Sequence, residues 1–440
     1  MYDCEAAVPL PLPPQNESTM LNCLLLLIMA SLCPNDILLS LEADTTWLTV
    51  REAEQMLEER NPQLQMSTLD VEMAASTLRQ ERLWENPEAD LLYNVNNPVT
   101  GHYFEAGPEG EIDIAVEQPI PIGGQRRQRI NRQKAMVSVA ENERDWNTYR
   151  LKMELHRTIA DICFLREKVE TFDSEIHSVD RILTAYRKQE KEGNLSKIEI
   201  VRMEAFKLQL VSGQNEWRTL LERRENDLRL LLGTSGNWAI RMDETAIFND
   251  MNSLQWSTAD LTAKTETRPD LVAIGFEAQS AERDLKLQRA NRLPRVSVKA
   301  EYDKNGNIGH NFWGVGLKTT IPVFDRNQGN IRSASLMMTQ KHIEEQALKH
   351  EIVSEVALCR NRLQRQWMLL NDARQTTAAD FSPEAIERRM LDHDLSMLDF
   401  ISIYDAYRET RLILIDERNS LIQTIIDLNE AVGEEIIKIR

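Results

Sequence analysis

Two periods of hydrophobicity alternate along this chain. Ile112, Ile114 and Val116 stand at every second position against Glu111, Asp113, Ala115 and Glu117, which predicts a strand with one apolar and one acidic face. Directly afterwards Pro119 and Pro121 withhold ladder hydrogen bonds, Gly123 and Gly124 permit a sharp turn, and from Gln125 to Glu192 there is neither proline nor glycine. At 1.5 Å per residue that stretch makes roughly 100 Å of helix. Within it Leu165, Val169, Phe172, Ile176, Val179, Leu183 and Tyr186 step by four and three residues, the stripe of a helix packed lengthwise on others. Glu192-Gly193-Asn194-Leu195-Ser196 interrupts it, and a second long helix returns to Leu232-Gly233.

Upstream of this unit, Thr49 and Glu52 have the spacing of a capping box. A second helix follows Asn61-Pro62 to about Trp84, and Ala89, Leu91, Tyr93 and Val95 alternate with Asp90, Leu92, Asn94 and Asn96 as the first strand of a hairpin. Downstream, the irregular stretch from Gly233 to Leu261, with Trp238 and Trp256, reads as short helices or turns. Then the pattern starts over. Asn61-Pro62-Gln63-Leu64 is echoed 207 residues later by Arg268-Pro269-Asp270-Leu271, and Pro87 by Pro294 at the same offset; Pro121 returns as Pro322 after 201 residues and Leu195-Ser196 as Leu395-Ser396 after 200. Four landmarks in one order at nearly constant offset indicate a tandem duplication of the unit helix, strand, strand, long helix, tight turn, long helix.

In the second hairpin Val296, Val298, Ala300 and Tyr302 alternate with Ser297, Lys299 and Glu301, and Trp313, Val315, Leu317, Thr319 and Ile321 with Gly314, Gly316, Lys318 and Thr320. Its helix pair has stripes at Ile352, Val356, Cys359, Leu363, Trp367 and Leu370, and at Leu421, Ile425, Leu428 and Val432. Pro383 has no counterpart in the first half and predicts a kink, a bulge or a helix restart. The expected division is a leader at 1–43, a first repeat at 44–265 with its hairpin at 89–119 and helix pair at 125–232, and a second repeat at 266–440 with its hairpin at 295–321 and helix pair at 328–436.

Composition narrows the class. The 440 residues carry a formal net charge of -18 and a pI near 5.0, which argues against nucleic acid as a partner, because phosphate neutralisation needs a basic surface. Mean hydropathy is -0.43, and after residue 45 no run reaches the roughly 20 apolar residues of a membrane helix. Leu21 to Ala30, LNCLLLLIMA, has the length of a signal-peptide core; with Met20 as the start, Leu41-Glu42-Ala43 precedes a cleavage point at Asp44. A short buried helix is the other reading of that run. Cys4, Cys23 and Cys33 belong to the leader, leaving Cys163 and Cys359, the latter in a core slot. The seven histidines show no paired ligand spacing, and no phosphate loop, nucleophile elbow or catalytic dyad stands out. The expectation is a non-enzyme with no metal ligands and no cofactor.

Four half-polar strands do not close a barrel, which takes about eight. Strands with Glu111, Asp113, Glu117, Lys299, Glu301 and Lys318 on one face and apolar residues on the other instead predict a lipid-embedded barrel with a wet lumen, closed by several chains. The order of elements, the junction QPIPIGGQRRQRI from Gln118 to Ile130, the turns Glu192 to Ser196 and His393 to Phe400, and the ending Leu230 to Gly233 resemble the TolC-like outer membrane factors of Gram-negative efflux systems. Pro-Ile-Gly-Gly before an arginine-rich helix start is most similar to the branch serving heavy-metal cation pumps.

This resemblance covers about residues 46 to 436 and implies a mainly α fold with a membrane β-barrel part. It implies a tandem-duplicated α-helical barrel with four strands per chain, closing as a 12-stranded β-barrel in a homotrimer. The trimer would sit in the outer membrane, in contact with its lipid, and extend far into the periplasm as a passive duct. Its partners would be a periplasmic adaptor and an inner-membrane pump of the RND type. Gly193, Asn194, Leu195, Ser196, His393, Asp394, Leu395 and Ser396 would form the adaptor-facing tips. Asp399 falls on the position of an acidic entrance ring, with Glu199 its equivalent in the first repeat; the family's next acidic position is Ser402 here, which argues against a double ring. First-turn acids also suit the helix dipole whatever else they do, and Gly193 serves equally as a helix stop. The cargo stays open between metal cations, drugs and secreted proteins. A cytoplasmic coiled-coil scaffold also accounts for the long helices, but it has no use for two hairpins placed at matching points of a duplication.

Overall fold

The computed structural model describes residues 46–440 except Asn194, Leu195, Asn237, 254–256, 307–308, 377–382 and His393. The expected leader, Trp256 and three of the expected tip residues, Asn194, Leu195 and His393, lie outside the described residues. The chain divides into two compact units, Met1–Thr46 and Trp47–Arg440.

Strand β1 (Thr46–Leu48) leads into α1 (Val50–Arg60), which opens on a complete capping box. Thr49 Oγ1 accepts from the Glu52 N–H at 3.3 Å, and the Glu52 carboxylate accepts from the Thr49 N–H at 2.8 Å. Helix α2 (Pro62–Glu81) starts at Asn61, whose side-chain oxygen accepts from the Gln63 and Leu64 N–H groups while its Nδ2 donates to the Leu231 carbonyl at 2.9 Å. Strands β2 (Glu88–Tyr93) and β3 (Ile112–Ile120) follow. Pro119 lies inside β3, but β2 ends opposite Glu117, so the proline sits where β3 has a single neighbour.

Helix α3 (Gln125–Lys191) is unbroken over 67 residues. It ends at Gly193, whose φ of 82° is the left-handed conformation that glycine takes without strain. Helix α4 (Lys197–Leu231) runs back. The segment after it holds β4 (Trp238–Ile240), α5 (Glu244–Ser253) and α6 (Thr258–Lys264), and β4 pairs with β1. Short helices were expected there; the strand pair was not, because three-residue strands are too short to display a period.

The second succession is α7 (Pro269–Ala290), β5 (Arg295–Gly306), β6 (Gly309–Thr320), α8 (Gln328–Thr376), α9 (Pro383–Leu391) and α10 (Met397–Val432). Pro383 is the first described residue of α9; the stretch before it, on which the choice between kink, bulge and restart turns, lies outside the described residues. Helix α10 stops at Val432 rather than near residue 436. The N–H groups of Ile436 and Ile437 instead donate to Asn429 Oδ1, which folds the chain back and buries Ile437 and Ile439.

The core lies almost entirely between helices. From the stripe on α3, Val169, Phe172, Val179, Leu183 and Tyr186 are buried, and Met203, Phe206 and Leu210 of α4 join Phe400 and Tyr404 of α10 in one of the resulting clusters. Gly213 of α4 faces the Phe172 ring so closely that an added Cβ would come within 2.9 Å, which sets the approach of α3 and α4. On α10, Leu421, Ile425, Leu428 and Val432 are at most 1% exposed, each burial contributing about 1.5–3 kcal/mol. Four strands form a single antiparallel sheet ordered β2-β3-β5-β6, so the two hairpins lie side by side through β3 and β5.

Candidate functional site

Register sorts the sheet into two chemically opposite faces. Glu117 stands opposite Lys299, Ala115 opposite Glu301, Asp113 opposite Asp303 and Ser297 opposite Lys318, and directly opposed residues share a face. Glu88 and Asp90 of β2 fall on the same side, opposite Glu117 and Ala115. Lys318 Nζ lies 2.9 Å from Glu117 and Lys299 Nζ 3.0 Å from Glu301, so these charges are held in pairs. The other face carries Leu91, Ile114, Val116, Tyr302, Trp313, Val315 and Leu317.

Exposure inverts the rule for water-soluble proteins. Val315 is 85%, Leu317 76% and Trp313 75% exposed, while Glu117 is only 9% exposed. A sheet in water hides its apolar face; this one turns it outward, with Glu117 buried and Asp113, Lys299 and Glu301 half-buried on the polar side, which is the arrangement for a lipid exterior and a wet interior. Of the residues expected on the polar face, Asp113, Glu117, Lys299 and Glu301 lie in the ladder on that side. Glu111 lies one residue before β3, where its carboxylate accepts from Asn94 Nδ2 at 3.4 Å. Asp303 was missed as a member of this face, because the alternation was followed only to Tyr302 whereas β5 continues to Gly306; Glu88 and Asp90 belong to it as well.

The other expected site lies at the two helix turns. Ser196 caps α4, its Oγ accepting from the Ile198 N–H at 3.3 Å, and Glu199 stands in the first turn. Ser396 caps α10: its Oγ accepts from the Asp399 N–H at 3.2 Å and donates to Asp399 Oδ2 at 2.6 Å. Asp399 is exposed and already serves as the cap's partner. The Asp394 N–H donates to the Arg389 carbonyl, and Leu395 packs half-buried on the core below. That core gathers Tyr186 from the end of α3, Met203 from the start of α4, Met390 from the end of α9 and Met397 from the start of α10, so both turns sit at one end of the helical body. Ile198, Val201 and Leu398 are more than 60% exposed beside them, an apolar rim that helical period alone did not single out.

Deeper among the helices, Glu175 of α3 is fully buried with one oxygen 3.3 Å from Arg408 of α10 and the other without a partner. Burial pushes its carboxyl up to about 7 against the opposing pull of Arg408. Arg408 also pairs with Asp405 and lies over the Phe172 ring. Among the described residues, Glu54, His156 and Glu435 bring three donor atoms within 4.8 Å of one another. Lys152 Nζ, 3.1 Å from Glu54 and 2.5 Å from Glu435, already fills the cationic position between the carboxylates. His156 Nε2 bonds Glu54 at 2.6 Å, and its Nδ1 has no partner of the kind that orients a metal-ligating imidazole. The group acts as an ion-pair clasp between α1, α3 and the segment after α10.

An outward-facing apolar sheet on long, lengthwise-packed helices, with the same succession of elements run twice, is the fold of the outer membrane efflux channels, the TolC-like outer membrane factors. No family model matches the chain. By sequence it is similar to the nickel-cobalt-cadmium resistance protein NccC of Alcaligenes xylosoxydans xylosoxydans, at 22% identity over 67% of this chain and 67% of that one. It is also similar to the cobalt-zinc-cadmium resistance protein CzcC of Cupriavidus metallidurans, at 20% identity over 82% and 83%. Among solved structures, CusC aligns with a TM-score of 0.68 at 17% identity, covering 89% of this chain and 94% of that one. The Campylobacter jejuni CmeC outer membrane channel aligns with a TM-score of 0.69 at 14% identity, covering 88% and 86%.

Proposed function

We propose that the chain is the outer membrane component of a tripartite efflux system, a passive duct closed by three copies. The observation that carries this reading is the inverted sheet, with Val315 and Leu317 turned outward and Glu117 sheltered. The 12 residues of β6 span about 40 Å, and a tilt of about 45° brings that near the roughly 25 Å height of an outer membrane barrel's apolar band. Strands β2 and β6 are the sheet's two open edges. Edges of that length invite pairing, and three copies joined β6 to β2 remove all of them in a 12-stranded barrel.

The helical body then extends into the periplasm, and the partners are a periplasmic adaptor and an inner-membrane pump of the RND type. Gly193, Ser196, Asp394, Leu395 and Ser396, together with Asn194, Leu195 and His393, form the adaptor-facing tips, and the exposed Ile198, Val201 and Leu398 suit such a contact. Asp399 and Glu199 are the residues of the entrance constriction. Heavy-metal cations are the favoured cargo, supported by the names of NccC and CzcC and by the excess of carboxylates on the polar sheet face. A second cargo reading has its own observation: the pyoverdine export outer membrane protein OpmQ of Pseudomonas putida is 21% identical over 67% of this chain and 62% of that one. No catalytic chemistry is assigned.

Fractionation of native host cells followed by crosslinking of the membrane pool tests the duct. The expected result is a detergent-extracted trimer from the outer membrane; recovery as a soluble cytoplasmic species overturns the reading. Loss of cadmium, cobalt or nickel tolerance on disrupting the gene favours the metal cargo, and loss of pyoverdine export alone favours the second.

A further inference from the structure

The four places where helix and strand meet lie at one level of the molecule. Arg126 donates to the Arg82 carbonyl, Gln125 Nε2 to the Ala290 carbonyl at 3.1 Å, Asn327 Nδ2 to the Gln288 carbonyl at 2.8 Å, and Gln118 Nε2 to the Glu85 carbonyl at 3.0 Å. These bonds tie together the end of α2, the start of α3, the end of α7 and the start of α8, the rim on which the sheet stands. The chemistry of this rim departs from that of the chain. In a protein of net charge -18, it carries exposed arginines at each junction: Arg82, Arg127, Arg292 and Arg326. Arg82, Arg127 and Arg292 have no ion-pair partner among the described residues.

Large apolar side chains stand between these cations. Trp84 is 60% and Phe324 92% exposed, and the Arg126 guanidinium lies over the Trp84 ring at 5.3 Å. An amphipathic indole beside cations is the composition of a membrane–water interface, and the Phe324 ring adds apolar surface at the same level. The opposite end of the sheet has the reverse sign. Glu105, Glu109, Glu111 and Asp303 gather there, and Lys304 spends its ammonium on the carbonyls of Ala106 and Gly107. The two ends of one apolar band therefore meet their surroundings with opposite charge.

We propose that the arginine rim binds the phosphate headgroups of anionic glycerophospholipids in the leaflet nearer the helical body, with Trp84 and Phe324 lodged at headgroup level. Each arginine near an anionic surface adds attraction that falls off within a Debye length, so several unpaired guanidiniums on one rim fix the depth of the sheet in the bilayer. This rests on the outer membrane channel reading.

The full chain is reconstituted into vesicles whose phosphatidylglycerol or phosphatidylcholine carries brominated acyl chains, and quenching is read at Trp84 and Trp313, each isolated by its Trp→Phe variant. Trp313, on the outward face, reports insertion alone. Brominated phosphatidylglycerol is expected to quench Trp84 with a several-fold preference over phosphatidylcholine. That preference should shrink in high salt and vanish in the triple variant Arg82→Gln, Arg127→Gln, Arg292→Gln, while Trp313 quenches equally throughout. Equal quenching of Trp84 by both lipids, a preference that survives the triple substitution, or full competition by inorganic phosphate overturns the headgroup site while leaving the channel intact. Absence of quenching at Trp313 in either vesicle overturns the membrane reading itself.

Discussion

Leucine 421 and leucine 317 belong to one chain and obey opposite rules. Leu421, in α10, is completely buried against α3 and α8; Leu317, in β6, is 76% exposed. The helical body hides its apolar stripes and leaves its charges outside or paired across helices, as where Arg418 binds Glu167 at 3.0 Å and Glu244 at 2.6 Å. The sheet does the reverse. Hydrophobicity therefore does not say which side is the interior; it says which side is kept from water, and the two regions are kept from water by different things. In the body it is other helices. On the sheet of the proposed channel it is lipid.

The largest expected effect lies in the body. Phe400→Ala removes a fully buried ring from the cluster beneath the helix turns and should cost about 3–5 kcal/mol, read as a lowered urea midpoint. Leu398→Ala, two residues away and 65% exposed, should stay within about 0.5 kcal/mol. Equal costs would mean that something covers Leu398. The sheet gives the mirror experiment. Leu317→Arg places a charge in the outward band and should cost about 2–4 kcal/mol with loss of vesicle insertion. Gly316→Arg, one position along on the opposite face and with open space around it, should insert normally. The reverse ranking would turn the sheet inside out and remove the basis of the channel reading.

A third test uses Glu175. Its folded carboxyl titrates at about 7, above the ordinary value of about 4.3 in an unfolded chain. Here burial raises the pKa, so the folded state resists ionisation. Stability should fall as pH rises from about 4.3 to 7 and level off above. Glu175→Gln should flatten that slope and raise stability at pH 8 by ~1–3 kcal/mol; an unchanged slope would show that Arg408 keeps the carboxylate ionised throughout. Among the losses, the smallest expected from a removed contact belongs to the cap. Ser396→Ala should cost about 1 kcal/mol and speed amide exchange only in the first turn of α10.

Much of the architecture was legible because it is written locally. A helix of 67 residues needs only the absence of breakers and a steady stripe, and the Thr49–Glu52 capping box needs two residues at the right spacing. The polar sheet face could be read from alternation within each strand. Asp303 could not, since its place opposite Asp113 depends on how far β5 runs and on which strand lies beside β3. The pairing of β1 with β4 left no periodic trace. At the turns, Ser396 and Asp399 could be named from sequence, but their mutual hydrogen bonds belong to the folded cap.

The sequence by itself determined the long helices and the hairpin strands, their order, their repeated succession and which side of each hairpin strand shuns water, because those depend on steric and hydrophobic preferences that repeat every two or every 3.6 residues. Tertiary structure alone decided that the hairpins join through β3 and β5, that the arginines of four distant junctions form one rim, and that Glu175 shares a buried site with Arg408. Each of these depends on packing between segments well separated along the chain, by 44 residues for Arg82 and Arg126 and by 233 for Glu175 and Arg408, and no local period records such a distance.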